Sequence, residues 1–162
     1  MSTIEKTSHF DKEGNIFFVV NCGPEDFLRI LDMYDSYMPE AVAQGLPPTN
    51  KTTRHTWLFS LLHSGENFAA IMEGRVVGHG ALLVNMDRLD GEYLIFVANP
   101  FRKRGIASVI TELTIDKARG LGLKSLWLTV ESGNFRAIKL YKKMGFEFCD
   151  TGLSERKMTL IL

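Results

Sequence analysis

Five consecutive apolar residues, Ile16 to Val20, open the patterned part of the chain and predict a short buried strand. Pro24, Glu25 and Asp26 follow, a proline suited to a first helical position and two carboxylates suited to the positive end of a helix dipole. Phe27, Ile30, Leu31 and Tyr34 then recur at three- and four-residue spacing, which predicts a first helix that runs out near Pro39. From Pro39 to Asn50 periodicity is lost, and Gly45, Pro47 and Pro48 fall inside this stretch, so a loop long enough to serve a function is expected. A second helix carries Trp57, Leu58, Leu61 and Leu62 on its apolar side and ends near Gly65.

Strand patterns come next. Phe68 to Met72, a Glu73-Gly74 turn and Val76 to Asn85 predict an antiparallel hairpin; a turn at Asp87 to Gly91 leads into a third strand, Tyr93 to Val97. After Asn99-Pro100 the period changes. Ile106, Val109, Ile110 and Leu113 make an amphipathic helix that stops around Gly120 and Gly122, and Leu126 to Val130 is a strand again. A strand, a crossover helix and a strand imply a parallel pair with a right-handed connection. Asn134 to Met144 is a further helix with Ala137, Leu140 and Tyr141 on one side and Lys139, Lys142 and Lys143 mostly on another, closed by Gly145. Phe146 to Cys149 and Arg156 to Leu160 read as closing strands. The sum is an α+β fold with a mixed, mostly antiparallel sheet of about six to seven strands and helices on both faces.

A length of 162 residues, with 45% apolar and 23% charged positions, fits one globular domain spanning 1–162. Nineteen basic residues balance nineteen acidic ones, so no overall field draws in nucleic acid. Met1 to Phe10 is too polar for the core of a secretion signal, and no apolar run is long enough to span a membrane. Cys22 and Cys149 form neither a disulfide framework nor a metal-type spacing, which suits a reducing compartment, the cytoplasm, and a chain without a metal. Monomer and homodimer both remain open.

The segment Val97-Ala98-Asn99-Pro100-Phe101-Arg102-Lys103-Arg104-Gly105-Ile106-Ala107 joins a strand to the start of a helix. The unpaired N–H groups of a helical first turn and their partial positive charge suit a phosphate or pyrophosphate. Gly105 lets the backbone approach an oxyanion, Ala107 is small, and three cations add attraction. A solvated surface loop would use the same residues. Neither a P-loop nor a dinucleotide fingerprint is present.

Arg102-Lys103-Arg104-Gly105-Ile106-Ala107 resembles the R/Q-x-x-G-x-G/A signature of the GNAT acyl-CoA N-acyltransferases. The later block from Asn134 through Ala137 and Tyr141 to Gly145-Phe146 resembles that family's second motif, and the order of elements agrees with it. The resemblance implies acetyl-CoA as cosubstrate, with its pyrophosphate held by the amides of Arg102, Lys103, Arg104, Gly105, Ile106 and Ala107. Its pantetheine arm would lie along Phe96 and Val97 and against Asn134. Arg136 and Lys139 would meet the ribose phosphate, although Lys139, Lys142 and Lys143 equally suit a solvated helix face.

Acetyl transfer to an amine requires a neutral amine, a polarised carbonyl and a proton for the departing thiolate. By resemblance, a backbone N–H near Val97 polarises the carbonyl and Tyr141 is the general acid; as a residue on an apolar helix side, Tyr141 also fits a core contact. Glu92 is the candidate base, and a solvated turn carboxylate is the alternative. Glu131 is a weaker candidate for the same task, His79 could face the cleft but as a lone strand histidine more often has a structural role, and a water chain is the alternative to a side-chain base. Tyr34, Tyr37, the Pro39 to Asn50 loop and Trp57 fall where the family borders its acceptor. A non-catalytic acyl-CoA sensing module is the competing function.

Overall fold

The computed structural model describes residues 6–36 and 47–162. Strands β1 (Thr7–Phe10) and β2 (Ile16–Cys22) form a hairpin, followed by a 3-10 turn at Pro24–Asp26 and helices α1 (Phe27–Asp35) and α2 (Lys51–Ser64). The meander β3 (Glu66–Met72), β4 (Arg75–Asn85) and β5 (Asp90–Val97) leads into α3 (Ile106–Gly120), which crosses over to β6 (Ser125–Glu131). Helix α4 (Phe135–Lys143) and strands β7 (Glu147–Phe148) and β8 (Glu155–Ile161) complete the order. All strands join one sheet in the order β1-β2-β3-β4-β5-β6-β8-β7, antiparallel except where the α3 crossover makes β5 and β6 parallel.

The sheet has eight strands where the sequence pattern predicts six or seven. The additional one is β1, whose Thr-Ser-His-Phe alternates half-buried and exposed positions and pairs Thr7 with Val19 and Phe10 with Ile16. It lacks an apolar run of the kind that marks β2, and the strand is secured by its partner and not by its own burial. The strand β5 also begins three residues before Tyr93. Gly91 is buried within it, and a β carbon there would stand 2.6 Å from Leu82 Cδ1, so this glycine answers to close packing and not to a turn. Helix α2 starts at Asn50, whose side chain accepts the Thr53 N–H at 3.0 Å. Of the expected loop, Pro39 to Asn50, the part from Pro39 to Leu46 lies outside the described residues, as does Tyr37.

Alternation along β4 and β5 divides the molecule into two layers. On one face, Gly78 and Gly80 lie under Ile110 of α3, and Leu82 and Tyr93 join a core with Ile115, Leu126, Leu128 and Tyr141. On the other, His79 meets Tyr34 of α1, while Leu83, Glu92 and Leu94 face Trp57 and Leu61 of α2. The Asn67 amide nitrogen donates to the carbonyls of Leu61 and Gly65, both at 2.9 Å, which turns its oxygen toward His79 Nε2 at 2.9 Å. His79 Nε2–H therefore donates to Asn67, and Nδ1 accepts from the Tyr34 hydroxyl at 2.7 Å. This buried chain of polar groups ties α1 and the end of α2 to the middle of the sheet, and each of its members is satisfied.

Gly78 and Gly80 allow α3 to press Ile110, which is fully buried, against the sheet, a contact worth about 1.5–3 kcal/mol for a side chain of this type. A β carbon on Gly80 would stand 2.5 Å from Ile110 Cγ2. Gly120, in the last turn of α3, has nothing within 4 Å of the same position. Gly80→Ala is therefore expected to lower stability by about 1–3 kcal/mol through overpacking, and Gly120→Ala to raise it by about 0.4–1 kcal/mol through the unfolded chain. Denaturant unfolding of both variants checks this; equal effects of one sign would contradict the packing account.

Candidate active site

The parallel pairing of β5 with β6 covers only Asp90 with Ser125, Gly91 with Leu126 and Glu92 with Trp127. Beyond that point β5 stays paired with β4 as far as Val97 opposite Gly78, and β6 stays paired with β8 as far as Glu131 opposite Glu155. The two strands thus part in the middle of the sheet, and the edge of β5 from Tyr93 to Val97 faces a wedge. Backbone N–H and C=O groups along such an edge form a template for an extended ligand. Phe96 and Val97, expected to lie along the pantetheine arm, are at the open end of this edge.

On the α3/α4 face the wedge is floored by phenols. The Tyr93 hydroxyl shares a hydrogen bond of 2.9 Å with Thr111 Oγ1, which in turn donates to the Ala107 carbonyl at 2.6 Å. Burial foremost, with the neighbouring Tyr141 adding to it, raises the Tyr93 pKa far above the usual phenol range, so its proton stays in place. Tyr141 projects from α4 into the same cluster, is 8% exposed, and meets Phe146 edge-on at 5.8 Å.

At the end of β5 the chain makes a 3-10 turn, Asn99–Phe101, and enters α3 through a loop in which Lys103 (φ 63°) and Gly105 (φ 91°) are both left-handed. Left-handed residues alternating with ordinary ones aim successive N–H groups to one side, and such nests bind anions. Gly105 is the N-cap of α3 and has no side chain to satisfy the first-turn N–H groups of Ile106 and Ala107. The three cations of this loop are not equivalent. Arg102 Nε donates to the Val97 carbonyl at 3.0 Å, which fixes the loop to the end of β5. Arg104 Nε reaches Asp11 Oδ2 at 2.7 Å and its Nη2 reaches Glu13 Oε2 at 3.2 Å, so two carboxylates of the β1–β2 turn balance its charge. Lys103 is exposed.

Asp11 is buried, with no exposed side-chain area. Burial alone would push its carboxyl up, but the N–H of Asn15, the Arg104 guanidinium and the N–H of Glu13 together outweigh burial and hold it below the usual carboxylate range. The sequence pattern gives no sign of this contact, because it joins residues 93 positions apart.

Asn134 caps α4, its Oδ1 accepting the Ala137 N–H at 3.3 Å, and stands at the β6 end of the wedge; Arg136 and Lys139 are exposed on α4.

On the α1/α2 face a cleft of about 350 Å³ is lined by Trp57, Ser60, Leu61, Ser64, Leu83, Leu94 and Glu92. Burial raises the Glu92 pKa above the ordinary carboxylate value, with Lys157 opposing the shift. His79, by contrast, is enclosed at 1% exposure with both ring nitrogens engaged, and burial lowers its pKa to about 3. It is neutral at physiological pH and acts as a structural tie. Glu131 ends β6, and its carbonyl accepts the Asn134 N–H at 3.0 Å. Tyr34 is buried, with its ring edge-on to Trp57 at 5.2 Å and to Phe96 at 5.7 Å, and so forms the inner wall between α1 and β5. Among the described residues no cluster of three metal-ligating side chains occurs, and no helix is long and apolar enough to cross a membrane.

Ser60, Ser64 and the Asp11–Gly14 turn escape sequence reasoning. The two serines follow the helical period of α2, but nothing in the sequence pattern shows that this side of the helix borders a cleft.

The chain resembles known proteins in sequence and in fold. The ribosomal protein bS18-alanine N-acetyltransferase of Salmonella typhimurium strain LT2 is 29% identical over 123 residues, covering 74% of this chain and 77% of its own. The GNAT domain of PAT from S. lividans superposes with a TM-score of 0.85 over 97% of both chains at 15% identity. A putative acetyltransferase from Salmonella typhimurium, solved with its cofactor acetyl-CoA, superposes with a TM-score of 0.71 over 90% of this chain and 94% of its own at 19% identity. Both structural likenesses are likenesses of fold. The sequence profile described as the acetyltransferase (GNAT) family spans residues 29–146, from α1 across the wedge and the glycine loop to the end of α4, and the chain belongs to that family.

Proposed function

We propose that this acetyl-CoA-dependent N-acetyltransferase holds its donor in the wedge between β5 and β6 and its acceptor, a primary amine, in the cleft beneath α2. The observation that carries the reading is the end of β5–β6 pairing at Glu92 and Trp127, between a buried phenol on one face and a half-buried carboxylate on the other. The pantetheine arm supplies the missing strand along Phe96 and Val97, and the pyrophosphate sits on the N–H groups from Arg102 to Ala107. Asn134 closes the far side, and Arg136 reaches the ribose phosphate. The whole chain, 1–162, acts as one domain in a reducing, cytoplasmic setting that suits its two free cysteines.

Each group has one task in the transfer. Glu92 takes a proton from the acceptor ammonium, leaving a neutral amine whose nitrogen attacks the thioester carbonyl carbon. A backbone N–H near Val97 receives the charge that forms on the carbonyl oxygen. As the C–S bond breaks, Tyr141 delivers its phenolic proton to the departing sulfur, the nitrogen that has attacked loses its surplus proton to solvent, and solvent returns a proton to the phenolate. The products are an N-acetylated amine and CoA. The raised Glu92 pKa serves this role, since a base with a pKa closer to the working pH accepts a proton more readily. Two serines, a carboxylate and apolar walls in about 350 Å³ suit a compact amine end with a small apolar neighbour. The alanine of ribosomal protein bS18 named for the Salmonella typhimurium LT2 N-acetyltransferase has a side chain of this size.

Tyr141→Phe is expected to lower kcat about 10²-fold while acetyl-CoA binding persists, because only the proton for the thiolate is lost. Rapid CoA release by this variant would remove Tyr141 from the mechanism. The kcat/KM profile of the unaltered protein should fall as pH drops through the raised Glu92 pKa, above the ordinary glutamate value, because the protonated acid cannot act as base. Glu92→Gln should abolish that limb and lower kcat by a similar factor; an unaltered limb would assign the base elsewhere. CoA release against polyamines, amino acids, aminoglycosides and lysine or N-terminal peptides identifies the acceptor class. Tight acetyl-CoA binding with no turnover on any of them would favour a sensing module.

A further inference from the structure

We infer that Lys12, in the turn between β1 and β2, is a pyrophosphate-binding residue of the acetyl-CoA site, delivered there by the ion pair that joins Asp11 to Arg104. The inference rests on the placement of acetyl-CoA in the wedge and adds to that site a residue from outside both sequence motifs and outside the region spanned by the family profile.

Of the cations in the glycine loop, Arg104 is balanced by Asp11 and Glu13, and Arg102 is directed at the Val97 carbonyl. Balanced in this way, Arg104 has little net charge to offer an oxyanion. The same contacts bring another cation in. The Lys12 N–H donates to the Arg104 carbonyl at 2.9 Å, which fastens the turn backbone to the loop backbone. The Lys12 side chain then runs along Gly105: its Cγ and Cε lie 3.8 and 3.9 Å from where a Gly105 β carbon would be. Gly105 is the N-cap of α3, so the Lys12 ammonium, one bond beyond Cε, is carried to the mouth of the anion-binding nest. Lys12 is exposed and forms no side-chain hydrogen bond or ion pair among the described residues.

The turn is built to hold this position. Asp11 accepts the N–H groups of Glu13 and Asn15 at 2.9 and 2.8 Å, so its carboxylate shapes the turn while it binds Arg104. Gly14, with φ 84°, completes the reversal, and its N–H donates to the Asp11 carbonyl at 3.0 Å. Arg104 thus acts on the ligand through the turn it anchors, and Lys12 makes the contact.

The test is calorimetric binding of acetyl-CoA and of 3′-dephospho-CoA at low salt. The proteins compared are the unaltered chain, Lys12→Ala, Lys12→Glu, Lys12→Arg and the control Lys124→Ala, which removes an equivalent exposed charge at the start of β6. Lys12→Ala is expected to weaken both ligands about ten-fold, Lys12→Glu to weaken them further, and Lys12→Arg and Lys124→Ala to stay near the unaltered value, with unliganded melting temperatures unchanged. Equal affinity in Lys12→Ala, or an equal loss in Lys124→Ala, would overturn the inference. A loss seen with acetyl-CoA but absent with 3′-dephospho-CoA would move Lys12 to the ribose phosphate and overturn the pyrophosphate assignment. Failure of the unaltered protein to bind acetyl-CoA would be a separate result, removing the placement of the donor itself.

Discussion

Backbone hydrogen bonding in the middle of the sheet is the constraint on which this molecule depends. Strands β5 and β6 run together for three residue pairs and then part, although each keeps its outer neighbour to the end. A sheet interior that leaves strand edges unsatisfied is costly unless water or a ligand takes up the donors and acceptors. The position of the split is fixed from both faces: Glu92 and Trp127 close the last pair, and Tyr93 and Tyr141 occupy the α3/α4 face next to it. In the proposed placement of acetyl-CoA, a thioester lying along β5 meets a phenol on one face and a carboxylate on the other, which would separate proton delivery from proton removal.

The elements around the split hold that geometry by different means. Helix α3 is drawn close by Gly78 and Gly80, so its first turn is brought to the end of β5, where Arg102 fastens the intervening loop to Val97. The cleft wall depends on the Tyr34–His79–Asn67 chain, which is buried and satisfied and therefore fixes α1 and α2 without a charge. The lowered His79 pKa and the raised Glu92 pKa both arise foremost from burial, yet they have opposite consequences. Burial keeps the imidazole neutral and inert, and it makes the carboxylate a stronger base.

Much of this was legible in the sequence, because local patterning and local chemistry agree through most of the chain. The 3.6-residue period places Ala137, Leu140 and Tyr141 together, and the glycine loop after Val97 marks the start of α3. Where reading fails, the cause is non-local. Strand β1 is polar, and it exists because β2 offers it an edge. Gly91 resembles a turn residue but is required by Leu82, a residue on the neighbouring strand. The neutralisation of Arg104 by Asp11 and Glu13 cannot be inferred from three adjacent cations, since it depends on how a distant hairpin is placed.

Completion of the sheet along β5 by acetyl-CoA is measured most directly by amide hydrogen exchange with and without this ligand. Protection should rise along Phe96 and Val97 and across Arg102 to Ala107, while the amides of β2 and β3 stay as they were. Unchanged exchange along β5 at saturating acetyl-CoA, with protection gained elsewhere, would contradict the account.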